Sequence, residues 1–195
     1  MSELLPLFLN LSGRTVLLVG GGPVAAAKLR QLLAANASVR VVAPSIVAEI
    51  ADAAGAAGVR VAIVRRGFAP ADLDDAWFVV AAATPEVNRA VANTAEERRL
   101  FVNAVDDPAN ASAFLSGVVR RGGVTVAIST SGDAPALTSL LREALDAVLP
   151  ADLDRWMRAA RNERTAWRRE GVEMAARKPK LLRALNALYA EGPCL

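Results

Sequence analysis

The chain has no histidine and one cysteine among its 195 residues. Losing histidine removes the commonest general base and the commonest transition-metal ligand together. Ser-His-Asp chemistry and histidine-based zinc sites are thereby excluded, and acid–base work falls to Asp, Glu, Lys, Tyr or water. A lone Cys194 beside the C-terminus permits neither an intrachain disulfide nor a thiolate cluster. No apolar run reaches the roughly 18–20 residues that cross a bilayer. The start, Met1-Ser2-Glu3, has no secretory signature, so no membrane partner and a cytoplasmic location are expected. What is present is 53% hydrophobic and 22% charged, a globular balance. The net charge is +3 and the pI near 9.6, which admits an anionic ligand.

The first half alternates short apolar runs with alanine-rich helical segments. Strands are expected at 15–19, 38–43, 59–64, 77–82 and 100–105, with helices at 24–35, 46–57 and 84–98. This alternation predicts a Rossmann-type α/β parallel sheet with crossover helices. After Pro108 the pattern changes. Two strand-like runs, 112–119 and 124–129, flank Arg120-Arg121-Gly122-Gly123 as a hairpin, and a helix follows over 134–149. Beyond Ala151 the periodicity is helical, with breaks expected near Gly171 and Pro179. Boundaries near 112 and 150 give three parts: 1–112, 113–150 and 151–195.

Gly20-Gly21-Gly22-Pro23-Val24-Ala25 joins the first strand to the first helix and fits the G-x-G-x-x-[GA] pattern. Its first glycine allows the tight turn, and its second lets backbone approach a pyrophosphate. Its third small residue packs helix on strand. This predicts a dinucleotide on the helix N-terminus. The acidic residue that often follows the second strand is absent, and Val42-Ala43-Pro44-Ser45 stands there instead. Ser45 has two readings, a ribose contact or a cap for the next helix. No arginine stands there to clamp a 2′-phosphate, so NAD is expected over NADP.

Ligands of open α/β sheets bind beyond the carboxyl ends of the strands. Ala83-Thr84 after the fourth strand, and Asn103 and Asp106 at the end of the fifth, lie there. Without histidine, a carboxylate is the natural base. The alternative is that Asp106 or Asp107 organises a turn before Pro108. Ser129-Thr130-Ser131-Gly132 is either a holder of substrate carboxylates or a helix cap. Arg155, Arg158, Arg161, Arg164 and Arg168 share a helix face. That face is solvated, attracts an anionic substrate, or binds nucleic acid. Interleaved acids argue against nucleic acid.

Leu5-Pro6-Leu7-Phe8-Leu9, the glycine loop with Lys28 after it, Asn103 to Pro108, Val126 to Gly132 with Pro135, and Leu141-Arg142-Glu143 come in a specific order. Together they resemble the precorrin-2 dehydrogenase/sirohydrochlorin ferrochelatase family, which includes the N-terminal module of siroheme synthase. The resemblance covers residues 5 to about 150. It implies NAD-dependent oxidation of the tetrapyrrole precorrin-2 to sirohydrochlorin, and in some members insertion of ferrous iron. It also implies that Asp106 is the essential carboxylate. Gly20, Gly21, Gly22, Pro23, Val24, Pro44 and Ser45 fall on NAD-contacting positions, with Ala83 and Thr84 counted beside them. Asn103, Ser129, Thr130, Ser131 and Gly132 fall beside the tetrapyrrole. A homodimer built through 113–150 is implied as well. Thr130, where some relatives carry serine, and Asp133, which makes the loop more acidic, depart from the pattern. The length leaves no room for a methyltransferase module. The rival expectation is an NAD-sensing Rossmann module without catalysis.

Overall fold

The computed structural model describes residues 4–190; Met1-Ser2-Glu3 and Cys194 lie outside the described residues. The chain forms two compact units. The first holds residues up to 115 together with 131–133, and the second holds 116–130 and everything from 134 onward.

The first unit is a five-stranded, all-parallel sheet. Its strands are β1 (Thr15–Val19), β2 (Ser38–Val42), β3 (Val61–Val64), β4 (Phe78–Ala81) and β5 (Val102–Ala104), in the order β3-β2-β1-β4-β5. Helices α1 (Pro23–Ala34), α2 (Ala48–Ala57) and α3 (Pro85–Glu97) connect them. Both sheet faces are covered, so side chains alternate between two cores. Val16 and Leu18 pack with Ala25, Leu29 and Ile50 on one face. Leu17 and Val19 pack with Val91 and Ala95 on the other. All four residues of β4 are buried, as the unbroken apolar run predicts. The strand order reverses between β1 and β4, and the crevice there is the expected ligand position of such sheets.

The second unit opens with the antiparallel pair β6 (Gly117–Arg121) and β7 (Val124–Ile128). Gly122 and Gly123 form its two-residue turn with φ of 55° and 84°, which only glycine adopts cheaply twice in succession. Helices α4 (Pro135–Val148), α5 (Leu153–Glu170) and α6 (Met174–Ala190) follow. Gly171 ends α5 in a left-handed cap. Trp156 Nε1 donates to Tyr189 Oη at 2.6 Å, and that hydroxyl donates to Asp152, tying α5 to α6. Arg155 and Arg158 of the basic face pair with Asp152 and Asp154.

Several local expectations are corrected. Pro179 does not break the last helix but lies inside α6. The strand expected from 112 starts at Gly117; Ser112 and Ala113 instead bond the Val102 carbonyl at the start of β5. A short 3-10 turn, Gly58–Arg60, replaces the first residues of the third strand and leaves Val59 exposed. Among the described residues no helix is long and apolar enough to cross a membrane.

Candidate functional site

The glycine loop is built from three different spatial demands. Gly20 has φ of 132°, and a Cβ there would lie 2.1 Å from the Ala82 carbonyl oxygen, so the turn hugs the end of β4. A Cβ on Gly21 would lie 1.8 Å from the Ser45 carbonyl oxygen. Val47 N–H donates to the Gly21 carbonyl at 2.8 Å, completing a backbone clasp between this loop and the segment after β2. Gly22 differs from both, since a Cβ there would meet nothing within 4 Å. It is the N-cap of α1, with no side-chain cap, Pro23 in the first turn and no acidic residue there. A helix N-terminus with open space at its N-cap and no carboxylate in its first turn fits a pyrophosphate. Ala25 is fully buried, as helix-on-strand packing requires. Val24 and Pro23 are exposed beside Gly22.

Ser45 does not cap α2. The N-cap is Val47, without a side-chain bond, and Ser45 meets the glycine loop through its backbone. Pro44 and Ser45 are both exposed at the end of β2.

Ala83 and Thr84 follow β4 and are exposed. The Ala83 N–H is already taken, donating to Asn88 Oδ1 at 2.9 Å. Asn88, buried on α3, is a positioning residue that the sequence pattern did not single out. Thr84 occupies the N-cap of α3 and Pro85 its first turn. Glu86 next to them is held below the usual carboxylate range by its own backbone N–H and then by the Thr84 hydroxyl.

Beyond β5, the two adjacent aspartates separate. Asp107 accepts from Asn110 Nδ2 at 2.7 Å and caps the short turn Pro108–Asn110. It is therefore the turn organiser. Asp106 is exposed, at φ of 56° in the left-handed region that few non-glycine residues adopt. Such strain tends to collect at functional positions. Asn103 is buried on β5, its Nδ2 donating to the Ala113 carbonyl at 3.0 Å. Its Oδ1 is buried without a partner, an acceptor that calls for a donor from a ligand or water.

The stretch from Ser129 to Gly132 is divided between the two units. Thr130 Oγ1 sits 2.9 Å from Thr138 Oγ1 and accepts from Ala134 N–H, so its hydroxyl secures the start of α4. Ser131, at φ of 56°, and Gly132, at 86°, belong to the first unit. A Cβ on Gly132 would press on Pro108 at 3.0 Å. Within the first unit the structure thus gathers Gly20 to Val24, Pro44, Ser45, Ala83, Thr84, Asn103 and Asp106 along the carboxyl ends of one sheet. Ser129 and Thr130 belong to the second unit.

Comparison with known proteins follows this division. A family described as "Putative NAD(P)-binding" matches residues 7–117, and one described as "Sirohaem biosynthesis protein central" matches 121–147. Siroheme synthase 3 of Aeromonas hydrophila is 43% identical over 152 residues, covering 77% of this chain and 32% of that protein. Siroheme synthase of Photorhabdus laumondii is 36% identical over 189 residues, covering 96% and 40%. The chain spans about a third to two fifths of the length of the curated relatives it matches. The solved structure of SirC, precorrin-2 dehydrogenase, superposes with a TM-score of 0.71 at 27% identity, covering 92% of this chain and 88% of that one. The chain belongs to the NAD(P)-binding family, and is similar to siroheme synthases and to the precorrin-2 dehydrogenase SirC.

Proposed function

We infer that the chain oxidises precorrin-2 to sirohydrochlorin with NAD as hydride acceptor. The observation that carries this is Asp106, a carboxylate presented on a strained backbone beyond β5 while its neighbour Asp107 is spent on the turn. The same sheet ends bear an open, uncapped helix N-terminus at Gly22. In a chain of this fold without histidine, such a carboxylate is the natural base beside a nicotinamide. The 92% coverage by SirC supports the choice of substrate.

NAD, when bound, supplies the site that takes the hydride. The chain's own residues do the rest. Gly20, Gly21, Gly22, Pro23 and Val24 hold the pyrophosphate against the α1 N-terminus. Pro44, Ser45, Ala83 and Thr84 border the ribose and nicotinamide ends. Asp106 accepts the proton that leaves as the substrate loses its hydride, and then passes it to water. Precorrin-2 and NAD+ thereby become sirohydrochlorin, NADH and a proton. Asn103, whose buried Oδ1 lacks a donor, and Ser131 and Gly132 of the same unit border the tetrapyrrole. Where ferrous iron is also inserted into sirohydrochlorin, as the family resemblance implies for some members, Asp106 accepts the two displaced protons in turn and passes each to water. The protein works as a homodimer through residues 113–150. Support comes from α4, which has no buried residue in one chain and exposes Leu137, Leu140, Leu141 and Val148.

The test is an anaerobic assay of precorrin-2 plus NAD, following NADH and the sirohydrochlorin spectrum, and then adding ferrous or cobaltous ion. NADH appearing with sirohydrochlorin is the expected result, and metal uptake faster than without protein adds chelation. A protein that binds NAD yet forms no NADH would overturn the reading in favour of a sensor.

A further inference from the structure

Lys28 lies four residues past Val24 on α1, one helical turn deeper than the glycine loop, between the fully buried Ala25 and Leu29. Its side chain is half-buried. Burial pushes its ammonium below the ordinary lysine range, and the Asp106 charge pulls it back up. Lys28 feels the Asp106 charge, yet among the described residues its ammonium makes no hydrogen bond or ion pair. Val105, the neighbour of Asp106, packs against the core cluster that holds Ala25 and Leu29, which brings the two charges to one part of the first unit.

A partly desolvated cation without a partner costs free energy that a bound anion recovers. Two anions are candidates. The dinucleotide pyrophosphate has its own donors at Gly22, and the Lys28 Cα lies about 9 Å further along the helix axis at ~1.5 Å per residue. The other is a carboxylate of the substrate, which must lie against Asp106 to be deprotonated.

We propose that Lys28 is a substrate-binding residue, whose ammonium receives a carboxylate of the tetrapyrrole and so seats the reacting carbon over Asp106. The assignment rests on the dehydrogenase reading of the site.

The experiment uses sirohydrochlorin and NAD as separate probes of equilibrium binding, with the full chain as wild type, Lys28→Met and Lys28→Arg. Lys28→Met should weaken sirohydrochlorin binding about tenfold to a hundredfold, the worth of one charge-assisted hydrogen bond. Lys28→Arg should restore most of it, and NAD affinity should stay within about twofold in both. Loss of NAD affinity with sirohydrochlorin unaffected would overturn the proposal and give the cation to the pyrophosphate. Unchanged binding of both would overturn it too. Failure of the wild type to bind sirohydrochlorin would instead sink the dehydrogenase reading, and this assignment with it. A second readout needs no stable Met variant. The chain has three lysines, Lys28, Lys178 and Lys180, so the Lys28 Cε resonance is assignable by its loss in Lys28→Arg. Its titration should move to higher pH when sirohydrochlorin binds, and an unmoved midpoint would overturn the proposal.

Discussion

The Ser45 carbonyl oxygen occupies the space that a Cβ on Gly21 would need, at 1.8 Å. The middle glycine of the loop therefore serves the protein's own backbone, and the last glycine, Gly22, is the one left open to a ligand. Gly21→Ala should force the clasp between loop and β2 end apart and destabilise the first unit by about 1–3 kcal/mol or more. Gly22→Ala, with φ of −85° and nothing within 4 Å, meets no clash and should cost only the N-cap preference, about 1 kcal/mol or less. Its effect should appear in NAD affinity instead. Thermal melts paired with NAD titrations check both variants, and a Gly22→Ala that binds NAD like wild type would remove the pyrophosphate from this position.

Asp106 is best tested with asparagine. Its left-handed backbone, φ of 56°, is one that asparagine tolerates and alanine does not. Asp106→Asn keeps the shape and removes the base, so NADH formation should fall about 10²–10⁴-fold. NAD binding should be unchanged. Asp107→Asn should lose little activity, since Asp107 serves the turn through Asn110. Equal losses in the two variants, measured under saturating NAD, would mean that the turn matters and the base does not.

Asp72 gives the first unit an acid-sensitive hold. Its side chain is 4% exposed, paired with Arg66 at 2.5 Å and accepting the Ala69 N–H at 2.9 Å. The Arg66 hydrogen bond, and then the Ala69 N–H, keep this carboxyl below the usual aspartate range against the cost of burial. A carboxyl with a lower pKa in the folded state adds stability above its unfolded value, near 3.9. That stability drains as pH falls through the folded pKa. Stability of the wild type should therefore decline from about pH 4 downward. Asp72→Asn should cost about 1–3 kcal/mol at neutral pH. It should also show a shallower acid dependence in urea melts at stepped pH.

The parts readable from sequence are those fixed by neighbours along the chain. The β1–loop–α1 unit follows from Val16 to Ala25 alone, because glycine turns, a first-turn proline and buried alanines are local signals. The separation of Asp106 from Asp107 was not legible, since it depends on an Asn110 side chain that any surface turn could carry. The same holds for Ser45, whose backbone answers to Gly21 twenty-four residues earlier. Pro179 looked like a stop because proline removes one helical hydrogen bond, yet α6 continues through it. Ser129 to Gly132 read as one loop, whereas Thr130 turns to Thr138 and Gly132 to Pro108. Only tertiary contacts divide it.

Leu137, Leu141 and Val148 recur at near-helical spacing on α4, with Leu140 beside them, and all four are exposed in a single chain. Burying each such side chain is worth about 1.5–3 kcal/mol. A twofold contact buries the same stripe twice, which is how a self-complementary dimer gains from one apolar face. The hairpin β6–β7 beneath α4 has little core of its own, Val119 being its one buried residue. A second copy is the cover proposed above for this part of the chain. Leu140→Glu places a carboxylate against its symmetry mate and should convert a dimer to monomers in sedimentation at micromolar concentration. Melting of the second unit should then become independent of protein concentration, whereas in the wild type it rises with concentration. A wild type that sediments as a monomer, or a Leu140→Glu variant that stays dimeric, would take α4 out of the interface.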